Sequence, residues 1–177
     1  MTGEKGGAAR VRPARPDDLT RLWEMAHGLA RYEKLEHEMA GSTDGLGAHL
    51  FGTAQPHVDA FVAEFEGRLV GYALVYPVFS SFHTSPMLWL EDLFVEEAQR
   101  GGGHGLALMA EVARFATARG MARIGWLVLD WNQPSIAFYE RLGARKSEGW
   151  YQYGISGAAL TDLAAAARAQ GSHSKAE

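Results

Sequence analysis

Cysteine is absent from the 177 residues, which excludes disulfide bonds, thiolate metal sites and a cysteine nucleophile. A basic surplus is also absent, because 17 Lys and Arg stand against 21 Asp and Glu, and the net charge of −4 argues against a nucleic-acid partner. No apolar run reaches the length of a membrane span, and residues 1–7 lack the apolar core of a signal peptide. The seven histidines are scattered without zinc-ligand spacing. We therefore expect a cytoplasmic protein with no metal, no membrane partner and no nucleic acid.

The residues that are present have the composition of one globular domain. Apolar residues make up 47% of the chain and charged residues 21%, which is ordinary for a protein that buries a core. A length of 177 residues fits one domain better than two. We assign this domain to residues 10–170, between a glycine-rich lead at 1–9 that we expect to be disordered and a frayed polar tail at 171–177.

Strand-like and helix-like patterns follow one another along the domain. Helical spacing and caps predict helices over 17–34, 44–51, 103–119, 133–142 and 160–169. Runs rich in β-formers predict strands over 11–14, 61–65, 69–76, 87–95, 123–129 and 150–155, with a hairpin turn at 66–68 and a polar loop at 77–86. Residues 123–129 are apolar on both alternating faces, which predicts a central strand covered on two sides.

The stretch from 88 to 106 passes from an apolar strand through a glycine-rich turn into a helix. A helix N-terminus with a bare backbone is a ready anion site, and Arg100 adds a fixed positive charge suited to phosphate. The turn lacks the Lys-Ser/Thr pair of a Walker loop and the ribose-binding acid of a dinucleotide fingerprint. Glycines alone would also fit a flexible surface turn, so the order strand, turn, helix is what favours a phosphate site.

Two acids, Glu91 and Asp92, lie in the middle of the strand at 87–95. An unpaired charge buried there would be costly, so each acid needs either a structural ion pair or a functional role. Because neighbouring strand residues point to opposite faces, we expect one acid to face a substrate and the other to support the adjoining loop.

The spacing Arg100-x-x-Gly103-x-Gly105 resembles the phosphate-binding motif of the GNAT acetyltransferases. The likeness continues through 90–95, through Asn132-Gln133-Pro134-Ser135-Ile136-Ala137-Phe138-Tyr139, and through shorter matches at 29–33 and 148–150. It covers roughly residues 11–163. Within the superfamily, the chain is similar to the diamine (spermidine/spermine) N-acetyltransferases and their thialysine-acetyltransferase-like relatives.

This resemblance implies an α/β (α+β) GNAT fold, with a mixed, mostly antiparallel twisted sheet, helices on both faces and splayed central parallel strands. It implies acetyl-CoA as cosubstrate, lying across the splayed strand ends. The implied acetyl-CoA-binding residues are Leu93, Phe94 and Val95 for the pantetheine arm, Arg100, Gly101, Gly102, Gly103 and Gly105 for the pyrophosphate, with His104 beside them, and Asn132, Ser135 and Tyr139 from the later helix.

The resemblance also implies two catalytic residues. Tyr139 matches the general acid that protonates the departing CoA thiolate, although a buried helix tyrosine is the structural alternative. Glu91 matches the residue that draws a proton from the amine through water, since a protonated amine is no nucleophile, and its alternative is a structural carboxylate. The implied acceptor-site residues are Tyr32, Glu33, Phe82, Glu91, Asp92 and Trp150.

One departure from the diamine branch concerns the loop before the central strand. The diamine enzymes carry an acid and a tryptophan there, whereas this chain has Ser80-Ser81-Phe82-His83. Phe82 would supply an aromatic wall, but the missing acid removes a counter-charge for a long polycation. A shorter amine, such as a diamine or a lysine analogue, is as plausible as a polyamine.

The predicted reaction is direct transfer of acetyl from acetyl-CoA to a primary amine of a small molecule, aided by positioning of both reactants. Two alternatives stay open: an enzyme for protein, peptide or antibiotic amines, and a CoA-binding sensor of the same fold without turnover. The resemblance implies a homodimer. The sequence leaves the identity of the amine undetermined.

Overall fold

A five-stranded sheet forms the centre of the first of two compact units into which the chain divides, Met1–Trp131 and Asn132–Glu177. The computed structural model describes residues 9–52 and 57–172, with side chains as far as residue 166. The lead expected at 1–9 and the tail expected at 171–177 therefore lie outside the described residues, apart from Ala9, Gly171 and Ser172.

The sheet is mixed and mostly antiparallel, as predicted. Its strands are β1 Arg10–Pro13, β2 Asp59–Phe65, β3 Arg68–Ser80, β4 Ser85–Val95 and β5 Ile124–Gly125. They lie in the order β1-β2-β3-β4-β5, with antiparallel pairing from β1 to β4 and a parallel pairing of β5 with β4. The tight turn between β2 and β3 holds Glu66 and Gly67 at φ +50° and +74°, which confirms the predicted hairpin.

The first unit holds the helices α1 Leu19–Glu33, α2 Thr43–Phe51 and α3 His104–Ala118. The second unit holds α4 Gln133–Arg141 and α5 Gly157–Ser172, so every predicted helix is present with slightly different ends. Short 3-10 turns lie at Pro16–Asp18, Glu36–Glu38 and Glu97–Gln99. None of the helices in the described part of the chain has the length and apolarity that a membrane span requires.

Helices cover both faces of the sheet because the strands alternate their side chains between the faces. On one face, α1 and α2 bury Leu22 and Leu50 in a cluster with Val62. On the other face, the ring of Phe115 in α3 meets Phe61 edge-on, with 5.2 Å between ring centroids. Neighbouring residues of β2 thus face different helices, and this confirms the predicted two-sided α/β architecture.

The loop predicted at 77–86 is wrong, because β3 and β4 form a longer hairpin. The two strands remain paired as far as Ser80 and Ser85, and only residues 81–84 form the turn. Polar residues are typical of loops, and this is the basis of the prediction. An antiparallel hairpin satisfies its backbone hydrogen bonds while leaving its side chains in water, so polar residues do not prevent the strand from continuing.

The strand predicted at 123–129 is reduced to the two residues of β5. Leu127 and Val128 are exposed, so the expected cover on two sides is wrong. The pairing of β5 with β4 involves only Leu88 and Trp89, and β5 does not pair with β4 from 90 to 95. This edge is the splay between parallel strands that the fold class predicted.

The strand predicted at 150–155 in the second unit is also wrong, since that segment has no regular secondary structure. Trp150, Tyr151 and Tyr153 have strongly exposed side chains. Aromatic residues favour strands, but a strand forms only where another backbone supplies its ladder of hydrogen bonds, and local propensity cannot provide that partner.

Candidate active site

A β-bulge in β4 brings Glu91 and Asp92 to the same face of the sheet. In the pairing of β3 with β4, Leu74 lies opposite Asp92 while Val75 lies opposite Leu90, so Glu91 is the extra residue. The expectation that the two acids point to opposite faces is therefore wrong. It assumed strict alternation, which the bulge interrupts at this position.

The hydrogen bonds of the two acids are consistent with this placement. Tyr72 donates its hydroxyl to Oδ2 of Asp92 at 2.9 Å, and Tyr76 donates to Oε2 of Glu91 at 3.0 Å. The indole Nε1 of Trp89 also donates to Oε2 of Glu91, at 3.2 Å. The two tyrosines are four residues apart on β3, and hence on one face. Each acid thus has its own tyrosine.

Both acids line a cleft of about 310 Å³ formed by α1, α2, the segment 38–41 and the sheet. Glu38 adds a third carboxylate to its lining. The remaining walls consist of aliphatic, small and aromatic residues, namely Leu22, Trp23, Ala26, Met39, Ala40, Gly41, Leu46, Leu50, Tyr72 and Leu74. None of these described lining residues is basic. A cleft with carboxylates and apolar walls suits a cation on a short carbon chain.

Burial changes the acid–base behaviour of this face. It raises the pKa of Asp92 to about 6; the Tyr72 hydrogen bond opposes the shift, and the charges of Glu91 and Glu33 add to it. Burial also raises the pKa of Glu33. The pKa of Tyr72 lies well above its usual value because the phenol is buried and faces Asp92. Burial, followed by the bond to Glu91, raises the pKa of Tyr76 to about 12.

The end of α1 meets the turn that was predicted to bind phosphate. The guanidinium of Arg100 lies 4.5 Å from the ring centroid of Tyr32, and its Nε donates to the carbonyl of Val95 at 3.1 Å. Tyr32 was predicted to bind the acceptor and Arg100 the acetyl-CoA pyrophosphate, so the two predicted sites meet at this contact. Glu33 follows at the end of the same helix.

The glycine turn fits a phosphate group. Gly101 and Gly103 have φ of +82° and +84°, and α3 begins directly afterwards at His104. A Cβ added to Gly101 would meet no atom within 4 Å, so the turn is open at that point. The first amides of α3 have no acceptor within the helix and are available to an anion. Together with Gly102 and Gly105, the glycine turn and the first amides of α3 could hold the pyrophosphate of acetyl-CoA. The edge of β4 at Leu93, Phe94 and Val95 is not paired with β5 and could hold the peptide-like arm of acetyl-CoA.

His104 has a structural role that the sequence did not predict. Its side chain is only 3% exposed, its Nδ1 accepts the backbone N–H of Ala9 at 2.9 Å, and its ring packs against Phe65. The side chain is thus enclosed by protein, and any contact of this residue with acetyl-CoA would come from its backbone amide.

Phe82 lies at the tip of the β3–β4 hairpin with 88% of its surface exposed, and it is not part of the cleft lining. The prediction that Phe82 forms the aromatic wall of the acceptor site is therefore wrong for the cleft of its own chain. Trp23 of α1 supplies an aromatic wall instead. The hairpin extends β3 and β4 past the cleft, and this carries the turn away from Glu91.

The second unit carries the other predicted site residues. Asn132 is buried and caps α4, accepting the backbone N–H of Ser135 at 3.3 Å, as predicted from its position. Tyr139 is half-buried on the same helix, and Trp150 is 77% exposed. Their roles toward acetyl-CoA and the amine stay predictions.

Five site residues escaped the sequence analysis, namely Trp23, Glu38, Tyr72, Tyr76 and Trp89. Trp89 lies two residues before Glu91, so strand periodicity could have placed both on one face. The two tyrosines could have followed from the pairing of β3 with β4. The residues Trp23 and Glu38 approach the cleft only through tertiary packing. In the described part of the chain, no group of three or more potential ligands could hold a metal ion.

Comparison with known proteins gives consistent family matches. The sequence profile of the acetyltransferase (GNAT) family matches residues 18–144. Thialysine N-epsilon-acetyltransferase of Mus musculus is 35% identical over 168 residues, which cover 89% of this chain and 98% of the mouse protein. L-ornithine N5-acetyltransferase of Arabidopsis thaliana is 26% identical, covering 86% of each chain.

Among solved structures, an integron cassette protein from the mobile metagenome of V. cholerae matches with a TM-score of 0.72 and 25% identity, covering 90% of this chain and 99% of that one. The mixed five-stranded sheet with helices on both faces is consistent with these matches. The chain belongs to the acetyltransferase (GNAT) family, in its thialysine and diamine acetyltransferase-like branch, and is therefore an acyltransferase of a family that uses acetyl-CoA.

Proposed function

We propose that this protein transfers the acetyl group of acetyl-CoA to a primary amine of a small molecule, such as a diamine, thialysine or another amino-acid-like amine. One observation carries the proposal. The bulge in β4 turns both Glu91 and Asp92 into a cleft with apolar walls and no basic side chain among its described lining residues. Such a cleft attracts an ammonium group and accommodates the carbon chain behind it.

The chemistry explains why carboxylates are needed beside the acceptor. An alkylamine has a pKa near that of lysine, about 10.4, so it enters as an ammonium ion that cannot attack a carbonyl. A nearby carboxylate holds the cation beside a proton acceptor and so favours loss of its proton, and Glu91 assists amine deprotonation in this way. The free amine attacks the thioester directly, and positioning of both reactants supplies much of the rate.

The leaving sulfur needs a proton, and we assign this step to Tyr139 as the general acid. Support comes from its place in the stretch 132–139, which matches the family pattern, and from the position of Asn132 as the N-cap of α4. When bound, acetyl-CoA supplies the activated acetyl group. Arg100 and the amides of the glycine turn hold its phosphates, and the open edge of β4 holds its arm.

Two relatives support a small acceptor, since their names state thialysine and L-ornithine as substrates. Both molecules carry a primary amine on a short chain. The exposed turn 81–84 carries no acid in this chain, so a long polyamine lacks a counter-charge there. Tyr32, Glu33 and Trp150 are proposed as acceptor-binding residues on the strength of the resemblance to the diamine branch.

A thiol-release assay with a panel of amines tests the function. The panel contains short diamines, thialysine, ornithine, spermidine, a peptide with a free N-terminus and an aminoglycoside. We expect kcat/KM to be highest for a short amine with one or two cationic groups. A higher value for the peptide or aminoglycoside would contradict the small-molecule assignment. Acetyl-CoA binding without thiol release from any amine would indicate a sensor.

We also propose that the protein is a cytoplasmic homodimer. The homodimer rests on the resemblance to the branch, and light scattering of the purified protein tests it. A mass of 19.3 kDa in solution would be that of a single chain and would contradict it.

A further inference from the structure

The two carboxylates of the bulge have different surroundings, and this difference separates their roles. We infer that Asp92 is the residue that accepts the proton of the bound ammonium, whereas Glu91 holds the cation in place. The inference rests on the proposed acetyl transfer to an amine and specifies which atom receives the proton.

Glu91 is arranged as an anchor. Its Oε2 accepts two hydrogen bonds, from the hydroxyl of Tyr76 at 3.0 Å and from the indole of Trp89 at 3.2 Å. The side chain is also exposed, so water solvates its charge. A carboxylate fixed on one oxygen by two donors is well suited to holding a cation with the other.

Asp92 is arranged as a proton acceptor. Its carboxylate is half-buried beside the apolar wall of the cleft, and the 2%-exposed Tyr72 fixes its Oδ2. Burial disfavours the charged form, and the pKa of about 6 lies close to neutral pH, where a general base is most effective. The groups acting on it are Tyr72 from β3, Glu91 from β4 and Glu33 from α1, and Glu38 lines the same cleft.

The proton balance follows from these roles. Asp92 takes one proton from the ammonium, and the nitrogen then bonds to the acetyl carbon. The carbon–sulfur bond breaks as Tyr139 protonates the leaving sulfur. The second proton of the nitrogen restores the Tyr139 phenol, and Asp92 gives its proton to water. One proton is released for each acetyl group transferred.

The test compares two acceptors with Asp92→Asn and Glu91→Gln. One acceptor is the best amine of the panel, and the other is its analogue with two fluorines on the carbon next to the amine-bearing carbon. Fluorination lowers the amine pKa, so the analogue is largely unprotonated in a mildly basic assay buffer. For Asp92→Asn we expect kcat/KM to fall about 100-fold or more with the ordinary amine and less than about threefold with the fluorinated one. A purely structural role would reduce both equally, and that result would overturn the inference.

For Glu91→Gln we expect a higher KM for the ordinary amine. The pH–rate profile should keep its acid limb, that is, the fall in kcat/KM at low pH as Asp92 becomes protonated. The limb should move to lower pH, because the charge of Glu91 is one cause of the raised pKa of Asp92. Loss of the limb in Glu91→Gln and its retention in Asp92→Asn would assign the proton to Glu91 and overturn the inference. Absence of turnover in the wild type would instead contradict the proposed function.

A pair of tyrosine variants keeps the test decisive if Asp92→Asn does not fold. Tyr72→Phe removes the hydrogen bond that lowers the pKa of Asp92, so the acid limb should move to higher pH. The matched variant Tyr76→Phe removes a bond from Glu91 and should leave the limb in place while raising the KM for the amine. A limb that moves with Tyr76→Phe and not with Tyr72→Phe would overturn the assignment.

Discussion

The guanidinium of Arg100 lies over the ring of Tyr32, with 4.5 Å between its central carbon and the ring centroid. The contact joins the last turn of α1 to the glycine turn that precedes α3. Arg100 is also tied to the end of β4 through the carbonyl of Val95. A residue predicted to bind the amine thereby positions a residue predicted to bind phosphate.

Replacement of Tyr32 tests this positioning. Tyr32→Leu removes the aromatic face, and we expect acetyl-CoA to bind about two- to fivefold more weakly, as for an exposed cation–π contact. Tyr32→Phe keeps the ring and should bind acetyl-CoA nearly as the wild type does. Isothermal titration measures both affinities, and equal weakening in the two variants would contradict the role of the ring.

The role of Tyr139 as acid predicts a kinetic effect without a binding effect. Tyr139→Phe should lower kcat by roughly 100-fold or more, because loss of a general acid removes a factor of that order. The Kd for acetyl-CoA should change little. Steady-state kinetics and a binding titration make the comparison, and an unchanged kcat would exclude Tyr139 as the proton donor.

Asp18 predicts a pH-dependent stability. Its carboxylate accepts hydrogen bonds from both terminal nitrogens of Arg12, at 2.6 and 3.0 Å. It also accepts one from the backbone N–H of Arg15. The bonds from Arg12, and then that from Arg15, hold the pKa of Asp18 below its usual value, although burial opposes them. Asp18→Asn should reduce the free energy of unfolding by about 1.5 to 3 kcal/mol at pH 7, the range for losing hydrogen bonds to a charged group.

The sign of the pH effect follows from the lowered pKa of Asp18. Its stabilisation is complete above the unfolded pKa, about 3.9, and is lost as the pH falls through the lower folded pKa. Denaturation of the wild type and Asp18→Asn should therefore differ less at low pH. The exposed neighbour Asp17 is the control, and Asp17→Asn should change stability by less than about 0.5 kcal/mol. A constant difference from pH 7 to pH 2 would contradict the linkage.

Two glycines allow a matched test of the phosphate turn. Gly101 and Gly67 both have positive φ, and a Cβ on either would meet no atom within 4 Å. Alanine at each position should cost about 1 to 2 kcal/mol of stability, from backbone strain alone. Only Gly101→Ala should also weaken acetyl-CoA binding, because Gly101 lies in the turn proposed to hold the pyrophosphate, whereas Gly67 lies in the β2–β3 turn. Equal acetyl-CoA affinity in the two variants would remove Gly101 from the phosphate site.

Features that depend on local chemistry could be predicted from the sequence. The glycine turn and the start of α3 follow from residues adjacent in the chain, and so do the Asn132 cap and the β2–β3 turn. Each needs only backbone preferences and nearby hydrogen bonds. The family resemblance rests on the same local motifs, and its fold class is confirmed.

Features that depend on a partner segment could not be predicted. The strands expected at 123–129 and 150–155 have suitable side chains, but a two-residue pairing replaces the first and none forms at the second. The loop expected at 77–86 is instead a paired hairpin, because β3 and β4 each supply the backbone partner that the other needs. Strand formation depends on a neighbouring backbone, and that neighbour is chosen by the whole fold.

The acids of β4 separate what the local sequence determines in the site from what strand pairing determines. By itself, the sequence determined that two carboxylates precede a phosphate-type turn and that the chain belongs with the acetyltransferases. Only the tertiary structure decided that both acids face one cleft, because a bulge is a property of the pairing between β3 and β4. The same pairing gave Asp92 and Glu91 different tyrosine partners, and with them different surroundings.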